Sequence, residues 1–422
     1  MLTDRDTKIV LEINNERFTR WQSYDIESDL LQPADAFSFK APNLHGEMAQ
    51  KIHRGDFVSV LLDDTVQMRG IVDDVSYSGD ADSGFFVDIR GRDLFGQLID
   101  CSAPLLHLKN PTLKTIAETL GGPWIGEWAV DNEDNKQALI AKAEYKRNQA
   151  SWRKQKEGTA LEIRREVADR YRVTSDNKTE LLAEMDEKLA QIDGDLDAAT
   201  RNLNQIRAKL FPNLKVEPGQ TAMEILEQRA QKALMLIWCA ANGAGIIGKP
   251  AYSLDPIYRL RLYPSTDGRC GENNIKAASV HESMQNVYSE YVCYGNAGNT
   301  KVKYGTGNNY KGIARDDTIP IPRTLILTDG DIKNVQQAKE KAEAERDRRR
   351  FESISLDYTV PGHYNEGFGS EALPWQIDTL VDVDDQISGY KGVYYVTRRR
   401  FSGDESGRWT EITLHESGVW LA

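Results

Sequence analysis

The 422-residue sequence is short of the residues that build metal and redox centres. It has four cysteines, Cys101, Cys239, Cys270 and Cys293, far apart and never paired as CxxC, which excludes the common zinc frameworks. Free thiols of this kind fit folding in a reducing cytoplasm. The six histidines, His45, His53, His107, His281, His363 and His415, are isolated. None falls in HExxH or has a second ligand at helical spacing, so no metal site is nominated. No apolar run approaches the roughly 20 residues that span a bilayer, so no membrane partner is expected. The opening MLTDRDTKIVLEINN is polar from its third residue and does not read as a signal peptide. Positive charge is outnumbered: 53 Lys and Arg face 65 Asp and Glu, a net charge of −12. That balance argues against general nucleic-acid binding, which needs a basic surface.

What is present is mostly strand. The stretch from Gly55 to Ser102 organises the chain. Phe57 to Leu62 is almost continuously apolar, Asp63-Asp64 signals a turn, Val66 to Val75 returns, and Ser78 to Gly84 reads as a loop. Phe85 to Arg90 alternates, with Phe85, Val87 and Ile89 on one face and Asp88 and Arg90 on the other, the mark of a half-buried strand. Gly91 to Ser102 reads as a feed into a short amphipathic helix. Upstream, Val10, Leu11 and Ile13 open a strand, Asn14-Asn15 turns it, Phe18 to Ile26 returns and Phe37-Ser38-Phe39 adds another. Five or six short strands in about 100 residues is the spacing of a small barrel or sandwich. Pro111-Thr112-Leu113 then opens a helix that runs to Gly121-Gly122.

Residues 131–210 differ in character. They hold 16 acidic and 16 basic side chains, so the net negative charge lies elsewhere. Leu182, Met185, Leu189, Ile192, Leu196, Ala199, Leu203, Ile206 and Leu210 alternate in steps of three and four, a heptad seam over four heptads and the most specific local pattern in the sequence. Such a helix is about 43 Å long. The first half, about 136 to 172, has a poorer seam, and Val173 to Asn177 breaks the two. The expectation is a helical hairpin, either an antiparallel coiled coil within one chain or a seam shared between subunits. Beyond it, Gln220 to Ala241 reads as one helix with an apolar face of Ala222, Ile225, Leu226, Ala230, Ala233, Leu234, Ile237 and Trp238. Strands resume at Gly245 to Ile247, Tyr258 to Tyr263 and Val287 to Tyr294. Asn296 to Lys311 reads as a loop, Leu325 to Leu327 as a strand and Ile332 to Phe351 as a charged helix. Ile354 to Val360 and Leu380 to Trp420 are again β, closing on a hairpin across Ser402 to Gly407. The fold class expected is α+β. It comprises two or more small antiparallel β-barrel-like domains with helical elements and a long helical-hairpin insertion. The expected domains are 1–131 (a β-barrel and the helix after it), 132–211 (the helical-hairpin insertion), 212–328 (a helix and a second β domain) and 329–422 (the charged helix and a C-terminal β segment that completes a barrel).

The sequence nominates no catalytic, cofactor-binding or metal-ligating residue. Gly243-Ala244-Gly245-Ile246-Ile247-Gly248 matches GxGxxG, but a dinucleotide site needs a strand before and a helix after it. Here a helix is expected before and a strand after, so it reads as a helix cap and turn. Gly305-Thr306-Gly307 lacks the Lys-Ser/Thr of a phosphate loop. The acidic pairs Asp63-Asp64, Asp73-Asp74 and Asp384-Asp385 fall where turns are expected. The basic clusters Arg346, Arg348-Arg349-Arg350 and Arg398-Arg399-Arg400 read as partners for carboxylates at an interface.

The order of these pieces resembles the baseplate hub proteins of Mu-like contractile-tailed bacteriophages, and more distantly the hub half of type VI secretion spike proteins. The resemblance rests on Arg69-Gly70-Ile71-Val72-Asp73-Asp74, Gly91-Arg92-Asp93-Leu94 and Asp100-Cys101-Ser102. It continues in Trp375, Val381-Asp382-Val383-Asp384-Asp385, Gly392-Val393-Tyr394-Tyr395-Val396 and the closing strand Trp409 to Leu414. The charged helix before Ile354 sits in the same place, whereas the insertion departs from the pattern. The resemblance implies a homotrimer whose subunits each give two related β-barrels, although no repeat between them is visible by eye. It implies a six-fold-like ring joining the tail tube protein to the central spike protein among other baseplate proteins, with DNA only passing through the lumen. It implies a virion protein assembled in the host cytoplasm, with no cofactor and no enzymatic activity. A tail-associated peptidoglycan hydrolase and a coiled-coil oligomeric binding module are the alternatives.

Overall fold

Asn14 and Asn15 both have positive φ, 51° and 66°, the backbone of a two-residue type I′ hairpin turn, which favours asparagine. In the computed structural model they join β1 (Ile9–Ile13) to β2 (Glu16–Phe18). The structure describes residues 7–43, 51–80, 84–108, 111–131, 214–233, 235–250, 252, 255–296, 309–330, 332, 335–366 and 372–418. The expected helical hairpin at 132–211 with its heptad seam, and Gly305-Thr306-Gly307, lie outside these described residues.

Five strands follow: β3 (Ser23–Asp29), β4 (Ala36–Pro42), β5 (Phe57–Leu62), β6 (Thr65–Asp80) and β7 (Gly84–Asp93). They hydrogen-bond in the order β3-β4-β7-β6-β5-β1-β2, every neighbour antiparallel. Alternation sets the buried face: Phe37, Phe39 and Ala41 on β4, Val58 and Val60 on β5, Val87 and Ile89 on β7. Phe85 shares the face of Val87 yet is 56% exposed, because the β6–β7 hairpin runs past the end of β5. The expected loop at Ser78 to Gly84 is accordingly shorter, and β6 continues to Asp80. The two long strands cross closely at Gly91. A Cβ there would lie 2.1 Å from the Ile71 carbonyl oxygen and 2.4 Å from the Phe37 ring.

A helical layer comes next. α1 (Gly96–Asp100), β8 (His107–Leu108), α2 (Leu113–Gly121) and β9 (Trp128–Asp131) precede the insertion. β10 (Leu214–Lys215), α3 (Ala222–Lys232), β11 (Leu236–Cys239) and β12 (Gly245–Gly248) follow it. The Thr112 hydroxyl caps α2 by accepting from the Thr115 N–H, and Thr221 with Glu224 forms a capping box on α3. Ile116, Ala117 and Leu120 pack against Ile225, Leu226 and Ala230 in a core of their own. The helix expected over Gln220 to Ala241 is two elements. Leu236–Cys239 is a strand, because a short continuous apolar run carries no period to separate a buried strand from a helix. Gly243 to Gly248 is consequently the turn and second strand of a β-hairpin, with Gly243 at φ +81°, and no helix follows it.

The remainder is β13 (Tyr258–Leu262), β14 (Ala277–Glu282), a small unit of β15 (Glu290–Asn296), β16 (Asn309–Arg315) and β17 (Thr324–Asp329) covered by α4 (Val335–Ser353), and six closing strands. In the small unit Tyr291, Cys293 and Ala314 pack on Ala338 and Ala342. The closing strands are β18 (Ile354–Pro361), β19 (Tyr364–Glu366), β20 (Ala372–Pro374), β21 (Thr379–Asp385), β22 (Tyr390–Asp404) and β23 (Gly407–Glu416).

The closing strands repeat the opening ones. β3, β4, β5, β6 and β7 pair as β5·β6·β7·β4·β3; β14, β18, β21, β22 and β23, in the same chain order, pair as β21·β22·β23·β18·β14. The registers superpose. Tyr77↔Val87 on the first hairpin matches Phe401↔Thr410 on the second, and the bulge at Val72/Asp74 matches that at Val396/Arg398. The matched segments Tyr77-Ser78-Gly79-Asp80 and Phe401-Ser402-Gly403-Asp404 keep a sequence trace of the repeat, as do Pro42 and Pro361. The expectation of separate closed barrels is corrected. Among the described residues no ladder closes, and both modules belong to one 13-stranded sheet over one shared apolar core. Alternation reports which face of a strand is buried; it does not report which strand lies beside it.

Gly91→Val is expected to cost about 3 kcal/mol through overpacking against Ile71 and Phe37, while Gly126→Ala, with nothing within 4 Å, leaves the urea midpoint within experimental scatter. Equal midpoints for the two variants would contradict the close crossing.

Candidate functional site

The two modules meet where β3 pairs antiparallel with the second half of β22, from Arg398↔Asp29 to Gly403↔Tyr24. Three consecutive arginines on a strand must alternate faces. Arg398 and Arg400 lie on the outer face: Arg398 Nε donates to Glu27 (2.5 Å), Arg400 Nε to Asp25 (2.6 Å) and Arg400 Nη1 to Glu411 (3.3 Å). Arg399 turns inward, 3% exposed. It donates to Gln67 Oε1 (2.7 Å), Ser28 Oγ (2.8 Å) and the Trp375 carbonyl (3.3 Å), and its guanidinium lies 4.1 Å from the Phe401 ring centre.

Two acids lie beside it, Asp93 buried and Asp35 partly so. The Asp35 carboxyl accepts from the Asp29 N–H (2.9 Å), and Asp93 accepts from the Phe95 N–H (2.9 Å). Burial pushes Asp35 up to about 7, and burial with the Asp35 charge raises Asp93 well above the usual carboxylate range. Burial also lowers Arg399 to about 10, against the pull of Asp35. The Cys239 thiol beside the pair is pushed up by burial and by both acids, so it is no nucleophile. A hydroxyl–imidazole–hydroxyl chain lies nearby. Thr410 donates to the Gly362 carbonyl (2.6 Å) and therefore accepts from His363 Nδ1 (3.1 Å), which leaves Nε2 to accept from the Tyr24 hydroxyl (2.7 Å). Burial holds His363 neutral, down to about 3, and Thr410 is fully enclosed, so the chain ties β3 to the second module and offers no attacking group.

Three of the residues that carry the family resemblance form a clamp. Arg92 donates to Asp73 (2.7 and 3.1 Å) and to Asp100 (3.2 and 2.5 Å), fastening the β6 bulge to α1. Two acidic pairs expected at turns are strand residues: Asp73-Asp74 lies at the β6 bulge, and Asp384-Asp385 ends β21 nearly buried. There Asp385 accepts from the Tyr358 hydroxyl (3.0 Å) and Asp384 from Tyr263 (3.3 Å). Asp63 is a turn residue, with φ 54°. Both basic clusters have carboxylate partners, and these lie in the same chain. Besides the β22 set, Arg348 binds Glu345 and Glu352, Arg349 binds Glu345, and Arg350 reaches Glu416 on β23. A cleft of about 370 Å³ opens between the β3–β4 loop, α3 and α4, with Leu31, Glu227, Met235 and Lys341 on its walls. Among the described residues no set of three His, Cys, Asp or Glu converges as a ligand cluster. Sequence reading missed the buried Arg399–Asp35–Asp93 group; an Arg-Arg-Arg run on a strand was the available signal, since its middle member must face inward.

The raised Asp35 carboxyl binds a proton in the folded chain that the unfolded chain has already released, so its contribution is full below about pH 4 and is lost as the pH rises to about 7. The buried His363 and His415, lowered to about 3 and about 4, act in the opposite direction as the pH falls below about 6.5. The expected signature is therefore a difference: Asp35→Asn, which keeps the acceptor for the Asp29 N–H, gains stability relative to the parent as the pH rises from about 4 to about 7. Urea unfolding of both proteins across that range measures it, and a pH-independent difference would refute the buried acid pair.

Known proteins place this architecture. No curated protein sequence matches the chain. Its fold is that of a tail protein from Neisseria meningitidis MC58 (TM-score 0.68, 23% identity, 99% of this chain and 98% of that one). It is equally that of the 43 kDa tail protein of prophage MuSo2 from Shewanella oneidensis (TM-score 0.67, 20% identity, 98% and 99%). A chain of the Francisella PdpA-VgrG complex is similar at a TM-score of 0.50, with 8% identity over 98% of this chain and 58% of that one. Within the opening module, residues 8–93 match the model of the Mu phage baseplate assembly protein GpP-like family, N-terminal part.

Proposed function

We propose that the protein is the hub of a contractile-tail baseplate, a homotrimer whose six modules form a ring between the tail tube protein and the central spike protein, in contact with other baseplate proteins. The internal repeat carries this reading: each chain holds two modules joined edge to edge, so three chains supply six like units. The match of residues 8–93 to a phage baseplate family and the shared fold with prophage tail proteins support it. The Arg92 clamp and the Arg398 and Arg400 seam use their charges within the chain, which suits a virion component that works through interfaces. Assembly in the host cytoplasm suits its free cysteines. The insertion at 132–211 is an appendage on this reading and does not hold the ring. Three copies carry three times −12, and part of that charge lining the lumen keeps passing DNA from adhering by like-charge repulsion.

Light scattering on a sizing column tests the reading. The expected mass is three times 47.6 kDa, retained when residues 136–208 are deleted. A monomer at every concentration would count against the ring, and a clear band on a peptidoglycan zymogram would count against the purely structural role.

A further inference from the structure

We infer that strand β14 (Ala277–Glu282) of one chain pairs with the second half of β6 (Val75–Gly79) of the next, in the register that β3 and β22 use within a chain. The inference rests on the trimer reading and specifies its contact.

The two modules superpose residue by residue. Position by position along the ladders, Arg398 to Asp404 of β22 correspond to Asp74 to Asp80 of β6, and Ser23 to Ser28 of β3 correspond to Ala277 to Glu282 of β14. Even the residue before each first strand repeats its bond: Gln22 N–H donates to the Lys40 carbonyl, and Lys276 N–H to that of Thr359, both at about the same length (2.7 and 2.8 Å). Within one chain, β22 past its bulge receives β3. The equivalent place on β6 past its bulge is paired with β7 on one side and has no ladder partner on the other among the described residues, because β5 stops at the Phe57↔Ile71 pair. The equivalent of β3, which is β14, ends the sheet with its outer edge likewise unpaired among the described residues. One chain thus holds one filled junction and the two halves of a second that it does not bring together.

Burial points the same way. At the filled junction Ile26 and Phe401 lie side by side and both are fully enclosed. Their counterparts at the open halves are Val280, partly exposed, and Tyr77, 50% exposed although it sits on the same sheet face as buried Val87. Exposed strand edges of this length are pairing sites unless something covers them. Carrying the internal register across gives Tyr77↔Val280, Ser78↔Ser279 and Gly79↔Ala278. The contact is head to tail: β6 of each chain takes β14 of the next, so filled and new junctions alternate around the ring.

Cysteine pairing tests the register. Directly opposed residues of an antiparallel pair lie about 4.5–5.5 Å apart at Cα, within the reach of a disulfide. In a Cys270→Ser background, which removes an exposed thiol, the double variant Ser78→Cys/Ser279→Cys is expected to give covalent trimers on a non-reducing gel. The off-register pair Ser78→Cys/Ala278→Cys, whose side chains face opposite ways, gives none, and neither single variant does. Tyr77→Glu is expected to raise the concentration for half-association at least about tenfold with an unchanged circular dichroism spectrum. A trimer by light scattering that yields no covalent product at Ser78/Ser279 overturns this junction and leaves the trimer standing. A chain that stays monomeric at every concentration overturns both.

Discussion

Six backbone-paired positions, Tyr24 to Asp29 against Arg398 to Gly403, decide where the rest of the chain goes. They join strands about 370 residues apart in sequence, and through them two apolar faces become one core. Loop-closure entropy grows only slowly with length, so the long connection costs little more than a shorter one. Register is the harder problem. A slip of one residue would turn Arg399 into solvent and bury Arg398 or Arg400 away from Glu27 and Asp25. A buried cation without its partners is strongly unfavourable. Arg399, held by Gln67, Ser28 and Trp375, therefore acts as a register pin. The wide seam of outer ion pairs is partly exposed and contributes less energy than selectivity.

Edges show the same economy of placement. β13 lies at the margin of the sheet, and asparagine side chains cover its outer side. Asn274 accepts from the Arg261 N–H (2.9 Å) and donates to the Arg259 carbonyl (2.8 Å); Asn365 donates to that carbonyl as well (3.0 Å); Asn273 exchanges both bonds with Tyr263 (2.7 and 2.9 Å). These amides stand in for a neighbouring strand, which removes a pairing template. β2 is a three-residue edge, too short to recruit one. Among the described residues β14 and the far half of β6 have neither protection, and they are the two edges related to a filled junction by the repeat.

Much of this was legible in the residues. Period-two alternation located β7, a nearly continuous apolar run located β5, Phe37-Ser38-Phe39 marked β4, Asn14-Asn15 announced the first hairpin, and Pro111-Thr112 announced α2. The arginine clusters were read correctly as carboxylate partners, although the interface they serve is within the chain. The failures have physical causes. Leu236–Cys239 is apolar at every position, and periodicity cannot separate such a run from the helix before it. Asp384 and Asp385 were placed in a turn because aspartate is rare in buried strands; Tyr263 and Tyr358 supply the hydroxyls that make it tolerable there. The repeat escaped notice because register, and not identity, is what the modules share. Outside Tyr77-Ser78-Gly79-Asp80 and its counterpart, few matched positions keep the same residue.

Divergence at the matched positions is itself informative, because two similar junctions on one chain invite wrong pairings. β22 carries Arg398 and Arg400 where β6 carries Asp74 and Ser76; β3 carries Asp25 and Glu27 where β14 carries Ser279 and His281. β22 against β3 sets two cations against two anions. β6 against β3 would bring Asp74 beside Glu27 and Asp29, a like-charge contact. β22 against β14 would leave both outer arginines facing Ser279 and His281, with no carboxylate on that face of the strand. Only β6 against β14 avoids both faults, with small polar residues on each side. Selectivity of this kind is a difference between affinities, and repulsion in the wrong pair contributes to it as much as attraction in the right one. Opposite charges placed on one junction and withheld from the other let a chain close its own seam first and keep the arginine-free edges for the next chain.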